Sequence, residues 1–190
     1  MKKVVNLLFV LTLISLIIGY FFSEDSLGGA KHDYIFHEKF IKLFAEDFYN
    51  TIRLYGSEDF SARNSPIFYI VLSFLLKFDL PLAMVKYINF FVLILLFHSF
   101  YICLKEKYPE ISYVTLLLFF SATLLSPTIR SLLIWPYPFI WALILFLYSV
   151  YYYLKFNFSK VKKNKFKFAI QNILFVASAS YLTPNFAIFT

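Results

Sequence analysis

Long apolar runs, each near the length that crosses a bilayer and divided from the next by polar segments, leave this chain few ways to fold. A spanning helix needs about 20 apolar residues for a hydrocarbon core of about 30 Å, where every backbone polar group must be paired within the chain. Val4 to Phe22 supplies 19 residues interrupted only by Asn6, Thr12, Ser15, Gly19 and Tyr20. Runs of this kind lack the alternation of a membrane strand, which excludes a closed barrel. The expected fold is all-α, a polytopic helical membrane protein. Composition agrees, because 15% of the 190 residues are charged and 61% are hydrophobic, whereas soluble domains carry about 25% charge. Disorder and a disulfide scaffold are excluded by the same composition and by the single Cys103.

The runs divide one membrane domain, 1–190, into about five spans: 4–22, 81–104, 111–127, 132–154 and 168–190. Between the first two lies 23–65, with eight acids against five basic residues, too charged for lipid and therefore an outer loop. Within it Phe36, Phe40, Leu43, Phe44 and Phe48 recur at three- and four-residue intervals, which predicts an amphipathic helix along the membrane surface, ending near Tyr55-Gly56-Ser57. The segment 66–78 is apolar but only 13 residues long, about 20 Å as a helix, and is expected to be interfacial or re-entrant.

Charge placement fixes the expected orientation. All 11 acids lie at or before Glu110, while Lys155 to Lys167 brings six lysines and no acid. Beside a span, that block reads as a cytoplasmic retention signal, so the net charge of +7 is no argument for nucleic acid. With 66–78 held on the outer side, the amino terminus, the Lys105–Lys107 turn and the lysine block all face the cytoplasm. The expected location is the cytoplasmic (inner) membrane, multi-pass. The exit of the first run, Gly19-Tyr20-Phe21-Phe22-Ser23-Glu24, lacks the small residues of a cleavage site and predicts an uncleaved anchor.

The most specific polar string is Lys31-His32-Asp33-Tyr34-Ile35-Phe36-His37-Glu38. Asp33 and His37 are four apart and share one helix face. A carboxylate beside lipid loses water and moves toward the range of a working base; a solvated helix start, with Asp33 favouring the positive helix end, uses the same residues. His32, Asp33, His37 and Glu38 are also metal-ligand types suited to zinc or manganese, although only Asp33 and His37 can share one ion without help from elsewhere.

One amino-terminal anchor, a large outer loop with an early aspartate and then a Pro-aromatic-Tyr segment before further spans resembles the C-type (GT-C) membrane glycosyltransferases. Asp33 stands for the loop acid and Pro66-Ile67-Phe68-Tyr69 for a segment reading Pro-Leu-Tyr-Tyr in that superfamily. Asp33-Tyr34-Ile35-Phe36-His37 is also similar to the Asp-Glu-Ile-Phe-His of the glucosyltransferases that complete lipid-linked oligosaccharides. The resemblance implies transfer of a sugar from a polyprenyl-phosphate donor to a glycan or lipid acceptor on the extracytoplasmic face, as in cell-envelope polysaccharide assembly. Asp33 would be the general base, Arg130 or Arg63 would balance the leaving phosphate, and His37 would orient the substrate or bind a divalent metal. Pro66 and Tyr69 would help form the groove for the lipid. The second outer turn, Ser126 to Pro136, offers Arg130 but not the second acid of many relatives. Relatives have about twice as many spans, so the chain is expected to be an amino-terminal part of a longer protein.

Two other classes remain open: a transporter or flippase for lipid-linked sugars, and a non-catalytic membrane subunit. Transporters place charge near the bilayer midplane, and the centres of these runs carry almost none. Cys103 and His98 read as packing and interhelical bonding residues. Lys77, Asp79 and Lys86 read as interface anchors, with phosphate binding as their functional alternative.

Overall fold

The computed structural model describes residues 2–55, 57, 64–78, 80 and 83–189. Its elements are α1 (Lys2–Phe21), α2 (Ala30–Glu46), α3 (Phe48–Leu54), α4 (Ile67–Lys77), α5 (Ala83–Lys107), α6 (Tyr113–Leu125), α7 (Pro127–Ile134), α8 (Pro138–Phe158), α9 (Lys162–Leu182) and a 3-10 turn, Pro184–Phe189. Among the described residues there is no strand.

Three helices, α1, α5 and α8, are long and apolar enough to cross a membrane. A fourth crossing exists if α6 and α7 count as one span broken by a 72° bend. The expected fifth, 168–190, falls on α9, whose first two turns hold Lys162, Lys163, Lys165 and Lys167; α9 is not among the helices that qualify by composition. It stops at Leu182 because Thr183, ahead of Pro184, is forced into extended backbone. A count of about five spans is therefore not established by the helices themselves. The segment 66–78 forms α4, 11 residues and about 16 Å long, too short to cross.

Where a second turn was expected after Pro127, the chain forms α7. Proline suits a first helical position, since its fixed φ is helical and its missing N–H needs no partner there. The outer-loop helix is likewise two helices, because Asp47 ends α2 and its side chain accepts the Asn50 N–H at 3.1 Å to cap α3.

Contacts between the helices sort their ends. At one end meet the C-terminus of α1, the surface helices α2 and α4, α7 and the N-termini of α5 and α8, joined by Glu24–Arg130, Tyr34–Trp135 and Lys86–Trp135 contacts. The 3-10 turn joins them through Phe139 and Phe186. At the other end Lys155 pairs with Glu106 at 3.7 Å and Lys107 stands over the Phe158 ring. Lys2, Lys3, Lys105, Lys107 and the six lysines from Lys155 to Lys167 thus gather at this second end, where among the described residues Glu106 and Glu110 are the acids beside them.

Two kinds of packing hold the bundle. Beneath the surface helices, Phe40, Ile41 and Phe44 of α2 close on Phe68, Tyr69 and Leu72 of α4, all nearly or fully buried; burying such a side chain from water stabilises by about 1.5–3 kcal/mol. Within lipid that drive is absent, and close packing with polar pins takes its place. Asn89 of α5 donates to the carbonyls of Leu132 and Leu133 at 3.0 and 2.7 Å, His98 bonds the Tyr148 hydroxyl at 2.9 Å, and the Cys103 thiol donates to the Leu147 carbonyl at 3.1 Å.

Candidate functional site

The end that carries α2 is built on how α1 terminates. Ser23 lies in the left-handed region at φ 54°. The Ser23 N–H reaches the Tyr20 carbonyl at 3.2 Å, and the Glu24 N–H reaches the Gly19 carbonyl at 2.8 Å. This is the reciprocal pair of a Schellman cap. The cap folds Glu24 back over the helix end, where its carboxylate accepts from Arg130 Nε and Nη2 of α7. Arg130 Nη2 also donates to the Ser15 carbonyl at 3.1 Å. Gly19 is required by this approach, since a Cβ there would run into the Glu24 carboxylate and sit 3.0 Å from Arg130 Nη2. The hydrogen bonds from Arg130 hold the Glu24 carboxyl below its usual range. Asp25 caps the next helix, its two oxygens accepting the Ala30 and Lys31 N–H groups at 3.1 and 3.2 Å. Gly28, at φ 78°, makes the turn between them.

α2 then presents two flanks. On one, Asp33 is exposed and lines a small cleft of about 190 Å³ with Leu27, Ala30, Thr128, Tyr137 and Phe139. His37, one turn on, faces inward at 3% exposure. Its Nδ1 is 2.8 Å from the Tyr69 hydroxyl of α4, and its Nε2 is buried without a hydrogen-bond partner. Burial lowers the imidazole pKa to about 4 and raises that of the Tyr69 hydroxyl to about 12, so both are neutral at pH 7. The four-residue spacing places the two residues on neighbouring turns, yet one meets solvent and the other the core.

On the opposite flank Lys31, Tyr34, Ile35 and Glu38 line a larger cleft of about 370 Å³ with Ser23, Lys86 and Trp135. Lys86 Nζ stands 3.8 Å from the centre of the Trp135 ring, and Lys31 Nζ reaches the same ring at 5.9 Å. The ring is fixed by its N–H, which donates to the Glu24 carbonyl at 2.9 Å. Glu38 is engaged by Lys42 at 2.7 Å. Sequence reasoning treated Lys86 as an anchor and gave Lys31 and Trp135 no shared role. Their positions, 55 and 104 residues from Lys31 respectively, hold no spacing signal; a lysine in the first turn of a span was the available hint.

A third cleft, about 510 Å³ and almost wholly apolar, lies between α5, α8 and the end of α9, lined by Ile88, Phe91, Leu95, Trp141, Leu145 and Leu182 among others. Of the remaining sequence candidates, Pro66 starts α4, its carbonyl accepting the Ile70 N–H at 2.9 Å. Arg63 lies outside the described residues. Among the described residues no three His, Cys, Asp or Glu side chains gather as a metal site. Asp33 and His37, the pair the spacing offered to an ion, differ in burial, the first exposed and the second inside against Tyr69.

The chain matches no protein-family model, and comparison with curated proteins and with solved structures gave no match. What is established is that the described residues form an all-helical fold with apolar helices compatible with an integral membrane protein.

Proposed function

We propose that the chain is the amino-terminal membrane part of a glycosyltransferase that moves a sugar from a polyprenyl-phosphate donor to a glycan or lipid acceptor on the extracytoplasmic face, with Asp33 as general base. The observation that carries the reading is the position of Asp33, an exposed carboxylate on a surface helix, lining a cleft against the ends of α7 and α8. A base must reach the proton it removes directly or through one water, and a carboxylate at the mouth of a cleft allows this. His37 and Tyr69 serve the reading by tying α2 to α4, and Arg130 by fixing α7 under α1. The apolar cleft beside α5 suits a prenyl chain in size and lining. The lysine-rich end faces the cytoplasm by the charge rule, which sets Asp33 outside the inner membrane.

Asp33→Asn removes the proton acceptor and keeps the shape. In lipid nanodiscs with polyprenyl-phosphate hexose donors and the full-length protein, transfer is expected to fall by about 10²–10⁴-fold, with thermal stability unchanged. Full transfer in that variant rejects Asp33 as the base, whereas no transfer by the parent protein would favour a non-catalytic assembly subunit.

A further inference from the structure

The cleft on the other flank of α2 has a chemistry of its own. Among the described residues neither Lys31 nor Lys86 has an ion-pair partner within 4.0 Å, and Glu38, the acid beside them, is held by Lys42. Two ammonium groups that line one cleft beside one indole repel each other, and a dianion held by both would remove that repulsion. The Tyr34 ring lies 5.6 Å from Trp135 and lines the same cleft. Lysine pairs with phosphate as a point charge and needs no fixed fork geometry. The surroundings are apolar and open: Phe21, Phe22, Ile35 and Tyr87 are all exposed, as side chains facing lipid would be. Phosphate charge and hydrocarbon would therefore meet at this mouth.

We propose that Lys31, Lys86 and Trp135 form a binding site for the phosphate group of a lipid phosphate monoester or diphosphate, entered from the bilayer surface. The inference goes beyond the transferase reading, since the site binds its lipid whether or not a sugar is transferred. If the transfer reading holds, this cleft, rather than Arg130, supplies the positive charge at the carrier's phosphate, because Arg130 is taken by Glu24.

The chain has two tryptophans, Trp135 and Trp141, so a Trp141→Phe background leaves Trp135 as the reporter. The protein in phosphatidylcholine nanodiscs is titrated with farnesyl phosphate, and separately with inorganic phosphate and with phosphatidylglycerol in the disc. A saturable change in Trp135 emission is expected with farnesyl phosphate at concentrations at least tenfold below any response to inorganic phosphate. Lys31→Gln with Lys86→Gln is expected to weaken farnesyl phosphate binding at least 20-fold. Lys31→Arg with Lys86→Arg should stay within threefold, and Lys39→Gln with Lys77→Gln, two lysines that do not line the cleft, should bind like the parent. Asp33→Asn should also bind like the parent, so that full transfer in that variant with binding intact counts against the base and leaves the cleft standing. Unchanged binding in the double glutamine variant, equal loss in the Lys39/Lys77 control, a response to inorganic phosphate as tight as that to the prenyl ester, or a response to phosphatidylglycerol alone would each overturn the proposal.

Discussion

Trp135 separates two regions that use positive charge in opposite ways. On one side Arg130 is buried at 7% exposure, with two nitrogens on the Glu24 carboxylate and a further bond to the Ser15 carbonyl. On the other, Lys86 and Lys31 stand over the ring with no ion-pair partner among the described residues. The same indole serves both, its N–H on the Glu24 main chain and its face under the lysines. A cation whose charge is matched inside the protein holds helices together, even with its Nη1 left unbonded as in Arg130; one left at the mouth of a cleft has bonds to give to a ligand. Stability and binding should therefore separate cleanly across this residue.

The largest expected effect is on the Arg130 side. Glu24→Ala leaves a buried guanidinium without its counter-charge, a loss of about 3–5 kcal/mol, read as a marked fall in the thermal unfolding midpoint in detergent. Gly19→Ala should act in the same direction, because its Cβ displaces the same carboxylate. Farnesyl phosphate binding by whatever protein remains folded should persist in both, since Trp135 is held by the Glu24 carbonyl and not by its side chain. The two-lysine glutamine variant should show the converse, unfolding within about 0.5 kcal/mol of the parent while binding is lost. Stability lost equally from both sides would erase the distinction.

A second effect sharpens the contrast between the flanks of α2. The His37 pKa is lowered to about 4 by burial, whereas an unfolded histidine titrates near 6.5. The unfolded chain therefore binds the extra proton first. The stability that neutral His37 contributes is whole above about pH 6.5 and is lost as pH falls toward 4, up to about 3 kcal/mol. Midpoints measured from pH 7.5 to 5 should decline, and His37→Gln should flatten the curve. Glu24 adds its own loss only at lower pH, because its carboxyl is held below the usual carboxylate range and its ion pair survives until that point. A flat profile for the parent would show His37 to be hydrated.

The parts legible in the sequence are those whose cause is local. α1, α5 and α8 follow from long, predominantly apolar runs, α4 from a run too short to cross, and α2 from the spacing of Phe36, Phe40 and Phe44. α7 was hidden because Pro127 can end one helix and begin the next, and the sequence does not say which. The break at Asp47 carried a capping signal that the surrounding aromatic periodicity masked. The site was less legible for a different reason. Asp33 and His37 are close in sequence, but which would be buried depended on α4 supplying Tyr69, 32 residues from His37. Glu24 and Arg130 are 106 residues apart, and long-range pairs of this kind leave no periodicity. The two lysines of the cleft meet for the same reason: helices α2 and α5 pack against α7, and only packing brings their first turns to one indole.

Every functional statement depends on the end bearing α2, Asp33 and the lysine cleft lying outside the cytoplasm, with the lysine-rich end within. In a Cys103→Ser background, single cysteines at Asn50 and Asn164 can be labelled in intact cells with a membrane-impermeant maleimide. The account predicts that Asn50→Cys reacts in intact cells and Asn164→Cys only after lysis. Labelling of Asn164→Cys in intact cells, with Asn50→Cys protected, would contradict it.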